Sequence, residues 1–199
     1  MVSARDQSEE PIRTRHLKGT TMPNSLLAEV IPISSQLKLA FRNHPGGVAV
    51  ITAKSEQGNV ALTATSVTSV NAEPPLLAFS VSALSSSSPK IQTVDHIVVH
   101  LLDADGIEVA KIGATSGIDR FADTSLWSEL ETGEPVFHAA RAWLRCRIVE
   151  RVDASGSTLY LAEVLETSIS DDETAQEASD GLVYVNRTWH RLSEDSRIG

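Results

Sequence analysis

A chain of 199 residues with 41% hydrophobic content can bury one core, so a single domain is expected. Its formal net charge of −9 argues against a nucleic-acid surface, which depends on clustered Lys and Arg. No apolar run of about 18 residues could span a membrane, no signal-peptide core follows the start, and a lone cysteine forms no internal disulfide. The expectation is a cytosolic protein.

Residues 1–25 mix Arg5, Asp6, Glu9, Glu10, Arg13, Arg15 and Lys18 with little periodic apolar content and read as a mobile arm ahead of a domain over residues 26–199. "SSQLKLAFRNH" reads as a short helix with a hydroxyl N-cap, closed by Pro45, Gly46 and Gly47. From Gly47 the pattern becomes β. "GVAVITA" is a buried strand, "KSEQGN" a turn and "VALTA" the returning strand. "PLLAFSVS" and "HIVVHLL" are two further strands, separated by a serine-rich loop that runs into a short helix.

"DADGIEVAKIGA" has helical spacing at Ile107, Ala110 and Ala114, with Asp103 as its cap. A loop carrying "GIDRF", Trp127 and "TGEPVF" follows. "RAWLRCRIVERV" alternates, with Ala142, Leu144, Cys146 and Ile148 on one face and Arg141, Arg145 and Arg147 on the other, so Cys146 reads as a buried thiol and not as a nucleophile. The turn "DASGS" returns the chain into "STLYLAEVLETSI", where Leu159 and Leu161 oppose Ala162 and Val164; apolar residues on both faces fit a closed sheet with something packed outside it. "SDDETAQEASDG" reads as solvated, and "LVYVNRTWHRL" as a last strand. The fold class is therefore mainly β, an antiparallel barrel with short peripheral helices.

The six histidines show no metal-ligand spacing, and His96 and His100 read as a solvent-facing or core-edge pair. No GxSxG, GxGxxG or GxxxxGK[ST] stretch occurs, so any chemistry is expected to come from a cofactor. "ALTATSVTSVNAEPP" is uncrowded and rich in hydroxyls, which suits a flat heteroaromatic ring with a polyol chain. "SSSSPK" adds hydroxyls and the cation Lys90 for a phosphate. On residue types alone an ordinary polar loop fits equally well.

"FRNHPGGVAVITA", "LTATSVTSVNAEPPLLAFSVS", "SSSSPKI", "DRF", "GEPV" and "LVYVNRTWHRL" occur in the order of the motifs of the flavin reductase family, which the chain resembles over about Leu37 to Leu192. The resemblance implies an FMN-binding split β-barrel of Greek-key type. It also implies a homodimer, and reduction of FMN or FAD by NADH or NADPH, often for a partner monooxygenase. It implies that Thr63, Ala64, Thr65 and Ser66, with Ser69 further along, line the flavin ring and ribityl chain. Ser85, Ser86, Ser87 and Lys90 match the phosphate-proximal segment, and Arg120 and Phe121 the Arg-Phe pair near the pocket; Phe121 as plain core and Arg120 as a surface ion-pair partner stay open as alternatives. The chain departs from the family at Gly156-Ser157-Thr158, where many relatives have Gly-Asp-His, at His100, where relatives often have Asn, and at Gly106, where a Gln is usual. A flavin-binding protein with no nicotinamide activity is the competing expectation, and a pyridoxamine-phosphate-oxidase-like barrel a remoter one. No catalytic side chain is assigned.

Overall fold

The computed structural model describes residues 31–169 and 180–198; the expected N-terminal arm and nearly all of the acidic segment lie outside them. The first half of the chain forms α1 (Ile33–Arg42), β1 (Gly46–Gly47), β2 (Ala49–Ser55), β3 (Gly58–Ala64), β4 (Thr68–Asn71), β5 (Leu76–Ser82), α2 (Ser88–Ile91) and β6 (His96–Leu101). The second half forms α3 (Ile107–Ala114), β7 (Trp127–Glu129), β8 (Pro135–Phe137), β9 (Ala142–Asp153), β10 (Ser157–Ile169), β11 (Gly181–Val185) and β12 (Thr188–Leu192). No helix among the described residues is long and apolar enough to cross a membrane.

Seven strands make one antiparallel sheet in the order β3-β2-β6-β9-β10-β5-β4. β3 and β4 stand at opposite ends of that order, yet only residues 65–67 join them. Four Cα steps reach at most about 15 Å, so the two edges of the sheet must come together and the sheet must curl into a barrel. The edges do not pair: the β2–β3 ladder ends at Ala64 and the β4–β5 ladder begins at Thr68. This is the split of the expected split barrel. Ser66 spans it, its Oγ accepting from Ser80 N–H at 3.0 Å and donating to Ser80 O at 3.2 Å.

Alternation along the strands explains the two cores. Ala49, Ile51 and Ala53 of β2, Val60 and Leu62 of β3, and Phe79 and Val81 of β5 point into the barrel, where Tyr160 stacks on Phe79 with centroids 4.8 Å apart. The opposite-facing Val50 of β2 and Ala61 of β3 pack outward against Val109 and Ala110 of α3 and Phe137 of β8. Burial on both faces is why "GVAVITA" carries Thr52 as its one polar side chain, buried with its Oγ1 donating to Pro135 O. Cys146 is buried in the barrel, which pushes its thiol up to about 12. Register shifts at Leu161/Ala162 and Val164/Glu166 bend the long β9–β10 hairpin, so strict alternation fails beyond Val164.

The structure corrects several readings. α1 begins after Pro32 with no side-chain cap, and Ser34 and Ser35 lie inside its first turn. "TSVN" and the loop around Trp127 contribute strands β4, β7 and β8. "LVYVNRTWHRL" is a hairpin and not one strand: Asn186 and Arg187 have φ of 49° and 63°, the two consecutive left-handed residues of a two-residue turn, and β11 and β12 pair across it. His100 is fully buried, and only His96 is partly exposed.

Candidate functional site

β3 runs between two cavities. At its start, a cavity of about 220 Å³ is lined by Asn59, Val60 and Ala61 of β3, by Ser86, Ser87 and Lys90, and by Ile118 to Phe121. Just past its end, a cleft of about 640 Å³ lies between α1 and the tip of the β11–β12 hairpin, with Gly46, Thr65 and Ser66 among its lining residues. From Ala61 to Thr65 the strand covers about 13 Å. A third cavity, of about 420 Å³, is lined by Val48, Leu102 and Leu182 among others and holds none of the expected site residues.

The first cavity is held together by Arg120. Its guanidinium donates to Ser87 Oγ at 2.9 Å, to Ser86 Oγ at 3.4 Å and to Thr115 O at 2.8 Å. Ser87 Oγ in turn donates to Ala61 O on β3 at 2.8 Å. Partial burial lowers the pKa of Arg120 from its ordinary value, and a guanidinium nevertheless stays charged at neutral pH. Lys90 Nζ reaches Asn59 O at 3.4 Å. Neither cation has a carboxylate within 4 Å among the described residues, so the surface-ion-pair reading of Arg120 does not hold. α2 is a four-residue turn with proline in its first positions, so the two cations outweigh any helix dipole as the anion-attracting feature. Phe121 lines the cavity and also stacks on Phe137, with centroids 5.6 Å apart, so its core and pocket readings coexist.

The remaining expected residues divide. Thr65 and Ser66 are exposed at the second cleft. Thr63 turns the other way: its Oγ1 donates to Ala110 O of α3 at 2.6 Å, and a Cβ on Gly113 would lie 2.4 Å from Thr63 Oγ1, which is why a glycine occupies the helix there. Ala64 is buried in the barrel core, so it can offer a ligand only its backbone. Ser69 sits on β4, and Ser85 accepts from Ser87 N–H at 3.3 Å within its own turn; neither lines either of these two cavities. Thr158, where many relatives have the imidazole, pairs with Val81 and Asp153 and also lines neither.

Sequence reasoning missed the cleft's other wall: Lys38, Arg42 and His44 at the end of α1, and Tyr184 and Arg187 on the hairpin. Asn186 N–H donates to Arg42 O at 2.7 Å, which ties the hairpin tip to the end of α1. Gly46 permits the close approach of the opposite wall, since a Cβ there would lie 2.9 Å from Thr65 Cβ. Asn after alternating apolar residues marks a turn at Asn186 and Arg187, but nothing local to it places that turn against α1.

The geometry is that of two separate cation-lined cavities, one at the start of β3 and one just past its end, the first of them suited to a phosphate. Comparison with known proteins agrees. The family model described as "Flavin reductase like domain" matches residues 41–193. An NADH:FMN oxidoreductase from Rhodococcus qingshengii is 37% identical over 154 residues, 77% of this chain and 79% of that one. The reductase component of 4-hydroxyphenylacetate 3-monooxygenase from Pseudomonas aeruginosa is 30% identical over 169 residues, 83% of this chain and 96% of that one. Among solved structures, a flavin reductase domain protein from Arthrobacter sp. FB24 superposes with a TM-score of 0.73 at 29% identity, covering 80% of this chain and 96% of that one.

Proposed function

The chain belongs to the flavin reductase family, and we propose that it transfers a hydride from NADH to FMN and releases the reduced flavin in the cytosol to a separate monooxygenase. The observation that carries this reading is the cavity at the start of β3, where two distant stretches bring Ser86, Ser87, Lys90 and Arg120 together with no carboxylate paired to either cation among the described residues. The FMN phosphate would be held there, and the ring would lie toward Thr65 and Ser66 at the split. A bound flavin supplies the hydride-accepting atom; the chain supplies position, an anion site and a surface without bulk. No side chain has to act as acid or base in the hydride transfer, so Gly156-Ser157-Thr158 in place of Gly-Asp-His is compatible with activity.

Mixing the full-length protein with FMN and NADH should consume NADH in proportion to enzyme, with NADPH and FAD as the comparison arms. Saturable FMN binding without oxidation of either nicotinamide would overturn the reductase reading. A sharper test of the phosphate site compares FMN with riboflavin. Arg120→Gln should weaken FMN about tenfold or more, the effect of removing one charge-assisted contact of ~1.4 kcal/mol or above, and leave riboflavin binding unchanged. Equal losses for both flavins would mean that Arg120 shapes the loop and does not hold the phosphate.

Assembly as a homodimer is part of the same proposal. On the outward face of the β9–β10–β5 sheet, Leu159 is 44% and Val152 49% exposed, they are direct cross-strand partners, and Leu161 pairs with Ala78 beside them. Such an exposed apolar patch favours a cover, and a second copy supplies one by symmetry. Sedimentation at micromolar concentration should give a dimer, and Leu159→Glu a monomer; a wild-type monomer would refute this part.

A further inference from the structure

A chain of hydrogen bonds leaves β3 at Thr63 and returns to the same strand at Ala61. Thr63 Oγ1 donates to Ala110 O of α3 at 2.6 Å. Beyond the end of α3, Arg120 folds back on the helix: its Nε donates to Ile112 O at 3.3 Å and to Thr115 O at 3.1 Å, and its Nη2 donates to Thr115 O at 2.8 Å. Its Nη1 donates to Ser87 Oγ at 2.9 Å, and Ser87 Oγ donates to Ala61 O at 2.8 Å. β3 thus holds α3, the end of α3 holds Arg120, and Arg120 holds the serine that returns to β3.

This circuit fixes the cation before any ligand arrives. Carbonyls at the C-terminal end of a helix carry the negative end of its dipole and attract a guanidinium. One N–H on Nε, one on Nη1 and both on Nη2 of Arg120 meet protein acceptors, Ser86 Oγ at 3.4 Å being the most distant, so a single N–H on Nη1 is left for a ligand. An arginine held in this way has little side-chain freedom left to lose when it meets an anion. The hold depends on how closely α3 sits on β3. Val109, Ala110 and Gly113 are the buried residues of α3, and Gly113 has no room for a side chain: a Cβ there would lie 2.4 Å from Thr63 Oγ1 and 3.1 Å from Thr63 N.

We propose that Thr63 is a positioning residue that sets the discrimination between phosphorylated and unphosphorylated flavins: acting through α3, it holds Arg120 at the cavity and does not touch the flavin ring. The inference rests on the assignment of that cavity to the FMN phosphate, and it departs from the expectation that Thr63 lines the ring beside Thr65 and Ser66. Unlike those two, Thr63 lines neither cavity, and its hydroxyl is committed to a helix carbonyl. Loss of that hydroxyl should therefore be felt only by ligands that carry a phosphate.

The variants, in the full-length chain, are Thr63→Val, which keeps the shape and removes the donor; Thr63→Ser, which keeps the donor; and Gly113→Ala, which drives α3 away from β3 while the Thr63 hydroxyl remains. In calorimetric titrations, Thr63→Val and Gly113→Ala should each weaken FMN about 3- to 10-fold, the range of one hydrogen bond, and leave riboflavin within about twofold of wild type. Thr63→Ser should restore the wild-type preference. Added to Arg120→Gln, Thr63→Val should cause no further loss, because its effect runs through Arg120. Equal losses of FMN and riboflavin in Thr63→Val, or losses that add to those of Arg120→Gln, would place Thr63 on the flavin itself and overturn the proposal. A Gly113→Ala protein with an unaltered preference for FMN would do the same, since α3 could then shift without moving Arg120. The Arg120 Nε–H gives a separate reading with no flavin present. Its NMR signal, identified by its absence from Arg120→Gln, should exchange slowly with solvent in the wild type and in Thr63→Ser, and about tenfold faster or more in Thr63→Val. An unchanged exchange rate would overturn the positioning role even if the protein reduces FMN. Faster exchange in the variant of a protein that binds neither flavin would retain the positioning role and remove the flavin assignment.

Discussion

Glu134→Ala should destabilise the protein by about 3–5 kcal/mol, the cost typical of removing one partner of a buried ion pair. Glu134 is 5% exposed, and its Oε1 accepts from Arg145 at 3.0 Å, where the arginine is also largely shielded. Burial alone would raise the Glu134 pKa, but the hydrogen bonds from Arg145 and from Thr132 Oγ1 prevail and hold it below the ordinary carboxylate value. Removal of the carboxylate leaves a guanidinium without a counter-charge on the strand that carries Cys146 into the core. For a chain of this length the loss corresponds to a fall in Tm of about 2–4 °C per kcal/mol.

The same residue fixes the outer layer of the barrel. Leu130 N–H donates to Glu134 O, and Thr52 Oγ1 to the neighbouring Pro135 O, so the β7–β8 hairpin is held on β2 through "GEPV". That hairpin presents Phe137 to Phe121 and so backs the cavity at the start of β3. Thermal unfolding measures the loss. Glu134→Leu combined with Arg145→Met should recover much of it, because a pair of apolar groups leaves no buried charge; a double change as damaging as Glu134→Ala would show that the pair contributes more than mutual compensation. The pair's contribution depends on pH with a definite sign. A carboxyl held low in the folded state stabilises above the unfolded pKa and loses that contribution as pH falls through the folded one.

The strands facing the barrel core were legible because burial leaves a period: Ile51 and Ala53, then Phe79 and Val81, then Cys146 and Ile148 are spaced by two and all fall inside. The cavity at the start of β3 was legible only in part. Ser86, Ser87 and Lys90 announce themselves by composition, but nothing local to "DRF" tells that Arg120 will reach back to Ser87; that contact depends on α3 docking over β3, which in turn depends on Gly113 lying against Thr63. Thr63 shows the converse failure, since a hydroxyl in a promising stretch was consumed by a helix carbonyl. The cationic cleft was invisible because its walls are about 145 residues apart in the chain and are joined by one backbone hydrogen bond from Asn186 to Arg42. β4, β7 and β8 were missed for a related reason: their ladders, β4 on β5 and β7 with β8, are set by the strand opposite and not by their own residues.

Between pH 6.5 and pH 4 the protein should lose on the order of 3 kcal/mol of stability through His100 alone. The ring is fully buried between β2 and β8, its Nδ1 3.0 Å from Val50 O and its Nε2 3.1 Å from Phe137 N. A backbone N–H can only donate, so Nε2 is the acceptor and the proton sits on Nδ1, where it is given to Val50 O. Both nitrogens are thus committed in the neutral ring. A second proton would have to enter at Nε2, against the Phe137 N–H and away from water, and burial accordingly lowers the pKa to about 4 although the bonds to the backbone of Val50 and Val98 oppose the shift. The unfolded chain takes up that proton near 6.5, so the unfolded state binds more protons throughout the interval and stability falls as pH falls through it; above 6.5 and below 4 the contribution is flat. Urea unfolding at pH 7.5 and 4.5, compared between wild type and His100→Asn, isolates the effect, since every other titrating group is common to both. Asn can still accept and donate one hydrogen bond but takes up no proton, so the variant should lose less stability than the wild type across that range, whatever its stability at neutral pH. Parallel losses in the two proteins would show that His100 is not the group whose protonation unlocks the barrel.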